Sequence, residues 1–167
     1  MEEINTMQFT TKFKSLSTIL LLWTTWFVNA QQPSDIIEIT PLNFGDITAE
    51  SGSICTLNMN GDISGSCDAS SADISVGRIQ IENLPKNSEF FLTISGNNSS
   101  ALSLNVSGQV TAASVTTAFT DSEQLSIRSR GSNNVADIII AGELTTTQGL
   151  SNGQNYQVGY TISIEIQ

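Results

Sequence analysis

The sequence predicts an all-β domain, a sandwich or a barrel of antiparallel strands, and three observations carry that expectation. Apolar residues recur at every second position in short runs, Gly, Asn, Ser and Asp separate the runs, and no long stretch has helical spacing. The longest alternation is the last, with Tyr156, Val158, Tyr160, Ile162, Ile164 and Ile166 at alternate positions. A helix would scatter these six side chains around its axis, whereas a strand places them on one face. They are read as a C-terminal core strand, which either lies inside a completed sheet or leaves an edge for another segment to cover.

Taken in order, the chain begins with Lys12 and Lys14 ahead of an apolar run from Leu16 to Val28 that ends in Val28-Asn29-Ala30. That is the pattern of a secretory signal peptide over residues 1–30. The run is too short for a membrane-spanning helix, which needs about twenty residues, so the expected mature chain from Gln31 is exported and has no membrane insertion. Residues 31–40 are read as an N-terminal extension in which Ile36, Ile37 and Ile39 form a candidate donor strand, and residues 41–167 as one domain. The alternative is that Ile36 to Phe44 is the first strand of a complete domain, with a break at Pro41.

Ten strands are expected: Ile36 to Ile39, Leu42 to Ile47, Ser53 to Met59, Ile74 to Ile81, Phe90 to Ser95, Leu102 to Val106, Val115 to Phe119, Gln124 to Ser129, Ala136 to Leu144 and Tyr156 to Ile166. Thr, Ser, Val and Ile dominate them, and β-branched side chains suit a pleated surface. Asn60-Gly61-Asp62 supplies the positive φ angles of a tight hairpin, and a loop centred on Gly61 sets Cys55 opposite Cys67. In an oxidising compartment this pair is placed for a disulfide, and its spacing excludes a CxxC redox motif.

Composition narrows the function. Sixteen acids face six bases, for a formal net charge of −10. Glu2 and Glu3 cancel Lys12 and Lys14, so residues 31–167 keep the whole of it. Such a domain repels phosphate backbones and anionic lipid, which argues against nucleic acid and membrane surfaces as partners. The chain has no histidine, which removes Ser-His-Asp and Cys-His catalysis and histidine zinc sites. No acidic pair stands out as a hydrolytic dyad, and the expectation is a protein that is not an enzyme, with no catalytic residues, cofactor or metal.

The remaining candidates have bland readings. Asn58, Asn60, Asp62 and Asp68 crowd oxygen atoms around one turn but lack the spacing of a calcium loop, so turn formation explains them. Asp121 and Glu123 read as a solvated loop. Arg128 and Arg130 fall on one face of a strand, where pairing with nearby acids is the simpler alternative to clamping an anionic ligand. Phe90, Phe91, Tyr156 and Tyr160 alternate with aliphatic residues, as core aromatics do.

Four passages together resemble a known family. They are Leu42-Asn43-Phe44-Gly45; Gly77-Arg78-Ile79-Gln80-Ile81 with Asn83-Leu84-Pro85 and Phe91-Leu92-Thr93-Ile94; Gly142-Glu143-Leu144; and Gly153-Gln154-Asn155-Tyr156-Gln157-Val158-Gly159-Tyr160-Thr161-Ile162-Ser163-Ile164. In order and spacing they are similar to an uncharacterised family of exported bacterial domains, related in pattern to the spore-coat-protein-U-like pilins of archaic chaperone and usher systems. The resemblance implies an immunoglobulin-like antiparallel β-sandwich in the periplasm, on the cell surface or in an extracellular fibre. It implies a structural or adhesive role, with self-association, other surface subunits and a periplasmic chaperone as partners. Glu143 departs from the pattern, which has a small residue there, and the Cys55 and Cys67 pair lies outside it. The alternative function is a self-contained sandwich that binds a surface glycan or a protein through the loops Asn97 to Ser100 and Ser129 to Asn134.

Overall fold

Alternating side chains become strands only where another strand supplies the backbone partner, and that rule sets the boundaries seen in the computed structural model. It describes residues 35–130, 134–151 and 155–166, with the side chain of Ile166 excepted. The expected signal peptide, the first residues of the extension and part of the 129–134 loop lie outside the described residues. The strands are β1 (Asp35–Thr40), β2 (Ile54–Leu57), β3 (Ile63–Gly65), β4 (Gly77–Glu82), β5 (Glu89–Gly96), β6 (Leu102–Ala112), β7 (Val115–Thr120), β8 (Gln124–Arg128), β9 (Ala136–Thr146) and β10 (Tyr160–Ile166), with no helix among the described residues.

All pairings are antiparallel and form two sheets, which makes the fold an all-β sandwich. In the larger sheet β6 and β9 pair along eleven positions, from Leu102 opposite Thr146 to Ala112 opposite Ala136. The free side of β6 takes β7. The free side of β9 is shared: Ala136 to Ile140 pair with β4, which carries β1, and Gly142 to Thr145 pair with β2, which carries β3. The smaller sheet runs β10-β5-β8. In chain order β1, β4, β5, β6, β9 and β10 take the places of strands A to F of an immunoglobulin-like sandwich, with A-B-E-D in one sheet and C-F in the other. The β2–β3 hairpin and the β7 and β8 strands are additions to that frame.

The core lies between the sheets and follows the period of two. Leu102, Leu104, Val106 and Val110 on β6 alternate with exposed or half-buried neighbours, as do Ile79 and Ile81 on β4, Ile138 on β9, Phe90, Leu92 and Ile94 on β5, and Leu125 and Ile127 on β8, while on β9 Ile140, Ala141 and Gly142 are buried in succession. Each such side chain contributes about 1.5–3 kcal/mol when fully buried.

Two expectations are corrected here. Leu42 to Ile47 is not a strand, because the Asn43 side chain accepts the Gly45 N–H at 2.9 Å and Gly45 turns to φ 66°, leaving only isolated bridges at Asn43 and Ile47. The last strand starts at Tyr160 rather than Tyr156, because its partner β5 ends at Gly96, opposite Tyr160. Val158 packs against the core from outside the strand, and Tyr156 is exposed, its hydroxyl accepting the Ser151 N–H at 2.8 Å. Residues 35–40 of the N-terminal segment pair with β4 as the first strand of the larger sheet.

Cys55 and Cys67 are bonded, with Cα atoms 5.3 Å apart. The ladder partner of Cys55 is Gly65, not Cys67. Gly65 turns at φ 91°, where a Cβ would stand 2.3 Å from the Ile54 carbonyl oxygen, and the Ser66 N–H then donates to that oxygen at 2.7 Å. The chain is thereby drawn back across β2 until Cys67 reaches the buried Cys55. Replacing both cysteines by serine is expected to lower stability by about 2–4 kcal/mol, measured by urea denaturation, with the wild type in reductant showing the same loss.

Candidate functional site

Among the described residues the sandwich is open at one long edge. There β1, the outer strand of the larger sheet, stands across from β10, the outer strand of the smaller one, and neither pairs with the other. The face that β10 turns to the core carries Tyr160 and Ile162, opposite Gly96 and Ile94, and Ile164, opposite Leu92. Ile94 and Leu92 are completely enclosed, yet Tyr160, Ile162 and Ile164 are only partly buried. One strand is therefore missing beside β10, in the place of strand G, among the described residues. The resulting groove, of about 440 Å³, is lined by Ile36, Glu38, Ile79, Gly159, Tyr160 and Ile162.

The residues of the candidate donor strand divide between the two faces. Ile36 stands opposite the buried Ile81 and turns into the groove, whereas Ile37 stands opposite Gln80 on the outer face. Ile39 sits in a bulge between Glu38 and Thr40 and is 58% exposed. One polar contact crosses the groove: the Tyr160 hydroxyl donates to Glu38 Oε1 at 2.9 Å. Partial burial, with the hydrogen bond and the negative charge of Glu38 adding to it, pushes the Tyr160 hydroxyl well above the usual tyrosine range. It stays a proton donor at any ordinary pH.

Glu38 was legible only as the one acid in the run Ile36 to Ile39. Asp121 lies in the turn between β7 and β8, as expected of a loop residue, but it is half-buried rather than simply solvated. Its Oδ1 accepts the Gly96 N–H at 2.7 Å and the Val106 N–H at 3.2 Å, and its Oδ2 accepts the Ser122 hydroxyl at 2.9 Å. One carboxylate thus ties β5 of the smaller sheet to β6 of the larger. The approach is close enough that a Cβ on Gly96 would stand 1.9 Å from the Leu104 carbonyl oxygen. Burial opposes the charge on Asp121, but the three hydrogen bonds outweigh it and hold the carboxyl below its ordinary range. Glu123 closes its own turn, accepting both the N–H and the hydroxyl of Thr120 at 2.9 Å.

The other singled-out residues serve local structure. Asn58 Oδ1 accepts the N–H groups of Asn60 and Asp62 and its Nδ2 donates to Asp62, while Asp68 caps a separate turn through Ser70. The four oxygen-bearing residues therefore do not converge, and among the described residues no group of three acidic or sulfur ligands gathers elsewhere. Arg128 and Arg130 are both exposed, with Glu89 opposite Arg128 in the ladder and the buried Ser129 between them. The Asn97 to Ser100 loop is occupied by its own contacts, since Asn97 accepts from Thr161, Asn98 from Ser103 and Ser99 Oγ from Ala101 and Leu102. A second depression, of about 370 Å³, lies beside Gly142 and is lined by Thr56, Asn58, Met59, Asn105, Ser107 and Glu143 among others.

Fold and edge together define the class: an antiparallel β-sandwich of immunoglobulin-like strand order whose last core strand has one open side. No protein-family model matches the chain, and no curated protein is significantly similar to it.

The Asp121 contacts give a pH dependence with a definite sign. A carboxyl with a depressed folded pKa contributes stability that is present above its unfolded value, about 4, and is lost as pH falls through the folded value. Asp121→Ala is expected to cost about 1–3 kcal/mol near neutral pH, because it leaves two backbone N–H groups without their acceptor. Its melting temperature should also fall less steeply than that of the wild type as the pH drops below about 4.

Proposed function

We propose that this chain is an exported, non-enzymatic structural or adhesive surface protein, a pilin-like subunit whose open edge is completed by a strand from another subunit. The observation that carries this reading is the half-buried inner face of β10 beside an unpaired backbone edge. An extended segment added there would gain main-chain hydrogen bonds from β10 and would bury Ile162, Ile164 and Ile36 with alternate side chains of its own. An exposed edge of this kind invites association unless it is covered, which is the role a periplasmic chaperone would fill before assembly. The acidic surface suits export and discourages nonspecific contact.

The test is a denaturing gel, run without boiling, of residues 31–167 beside a chain lacking residues 31–40. The expected outcome is a ladder that heat dissolves and truncation abolishes. Because truncation also removes β1 from β4, a third lane carries Ile164→Lys, which leaves β1 in place and puts a charge on the acceptor face; it should lose the ladder too. Monomer bands in every lane would overturn the proposal in favour of a self-contained binding module, with the depression at Asn105 and Glu143 as its first candidate surface.

A further inference from the structure

β1 is the least enclosed strand of the sandwich. Ile36, Ile37 and Ile39 are 48%, 42% and 58% exposed, so lifting this strand from β4 uncovers less apolar surface than lifting a fully buried strand would. Its backbone is held on one side only, by β4, with the ladder interrupted at the Ile39 bulge. Side-chain bonds hold it at separate points: Asn83 Nδ2 donates to Asp35 at 2.6 Å in its own sheet, and Tyr160 donates to Glu38 from the opposite sheet. Glu38 occupies an inward position, opposite Ile79, where an apolar residue would be the ordinary choice. An acid there is explained by its partner: Tyr160 keeps its proton and presents it to the carboxylate across the mouth of the groove.

We propose that the Glu38–Tyr160 hydrogen bond is a latch that keeps β1 in its own sandwich and narrows the groove, and that its release frees β1 for exchange with a second copy of this chain. The exchange rests on the reading that the open edge is where another subunit docks. The latch is well matched to the strand it holds. A hydrogen bond to a charged acceptor shifts an opening equilibrium by roughly tenfold, a sizeable share of what holds half-buried β1 in place and a minor one beside the fully buried faces of β6 and β9. Exchange of an identical element between copies adds no new kind of contact and is a low-cost route to assembly.

The experiment is hydrogen exchange of backbone amides in residues 31–167, at a concentration where the protein is monomeric, comparing the wild type with Tyr160→Phe and Glu38→Gln. Tyr160→Phe removes one oxygen and leaves the packing face intact, so β1 amides should exchange about tenfold faster while β6 and β9 amides keep the wild-type rate. Glu38→Gln retains an acceptor oxygen without the charge and should accelerate β1 exchange less than Tyr160→Phe does. Equal β1 exchange in the wild type and Tyr160→Phe would overturn the latch, as would an acceleration spread evenly over β6 and β9. The unboiled gel separates the two ideas. Ladders with unchanged β1 exchange sink the latch and leave the docking reading standing; faster β1 exchange without ladders keeps the latch as the hold on β1 and removes the exchange between copies.

Discussion

The eleven-position pairing of β6 with β9 is the constraint on which the rest of the sandwich depends. Its inward residues, Leu102, Leu104, Val106, Val110, Ile138, Ile140 and Leu144, form one wall of the core. Its length also gives β9 a second side long enough to seat two short partners end to end, β4 and β2. Everything on the larger sheet is attached through these two strands. The smaller sheet then packs against a wall already complete, with Asp121 fixing the approach of β5 to β6.

That arrangement explains why the molecule is well closed in its middle and open at one margin. Core side chains on β4 and β9, Val110 on β6, and Phe90 and Leu92 on β5 have strands on both sides within their sheets. Those on β10 have one neighbour, β5, and those on β1 have only β4. The apolar pattern of β10 is as strong in sequence as any in the chain, so the deficit lies in what surrounds it. A strong inward face with a missing neighbour is how a fold advertises an unfinished sheet.

Much of this was legible in the sequence, for a local reason. Alternation at Ile74 to Ile81, Phe90 to Ser95 and Gln124 to Ser129 located β4, β5 and β8 to within a few residues, because period and burial coincide over most of each. The extra length of β6 and β9 was not legible: Ser107 to Ala112 is small and polar, and it is the partner strand that makes a strand of it. The early start assigned to the last strand failed for the complementary reason, since Tyr156 and Val158 alternate correctly but have nothing to pair with. Asp121 is separated from Gly96 by 25 residues and from Val106 by 15, and no local pattern marks an acceptor whose donors come from so far away. Glu38 and Tyr160, 122 residues apart, meet only through the fold.

The division of β9 between two partners has one more consequence. The β2–β3 hairpin hangs from the second half of β9 independently of β4 and β1, and its base is cross-linked through Cys55 and Cys67. Its tip at Asn58 to Asp62 is exposed and is organised by its own asparagine, with Gly61 at φ 89° and open space around it. The hairpin is thus a stapled stalk whose end can change in length or content while the sandwich beneath keeps its registers, which makes it the position where this scaffold can carry foreign sequence.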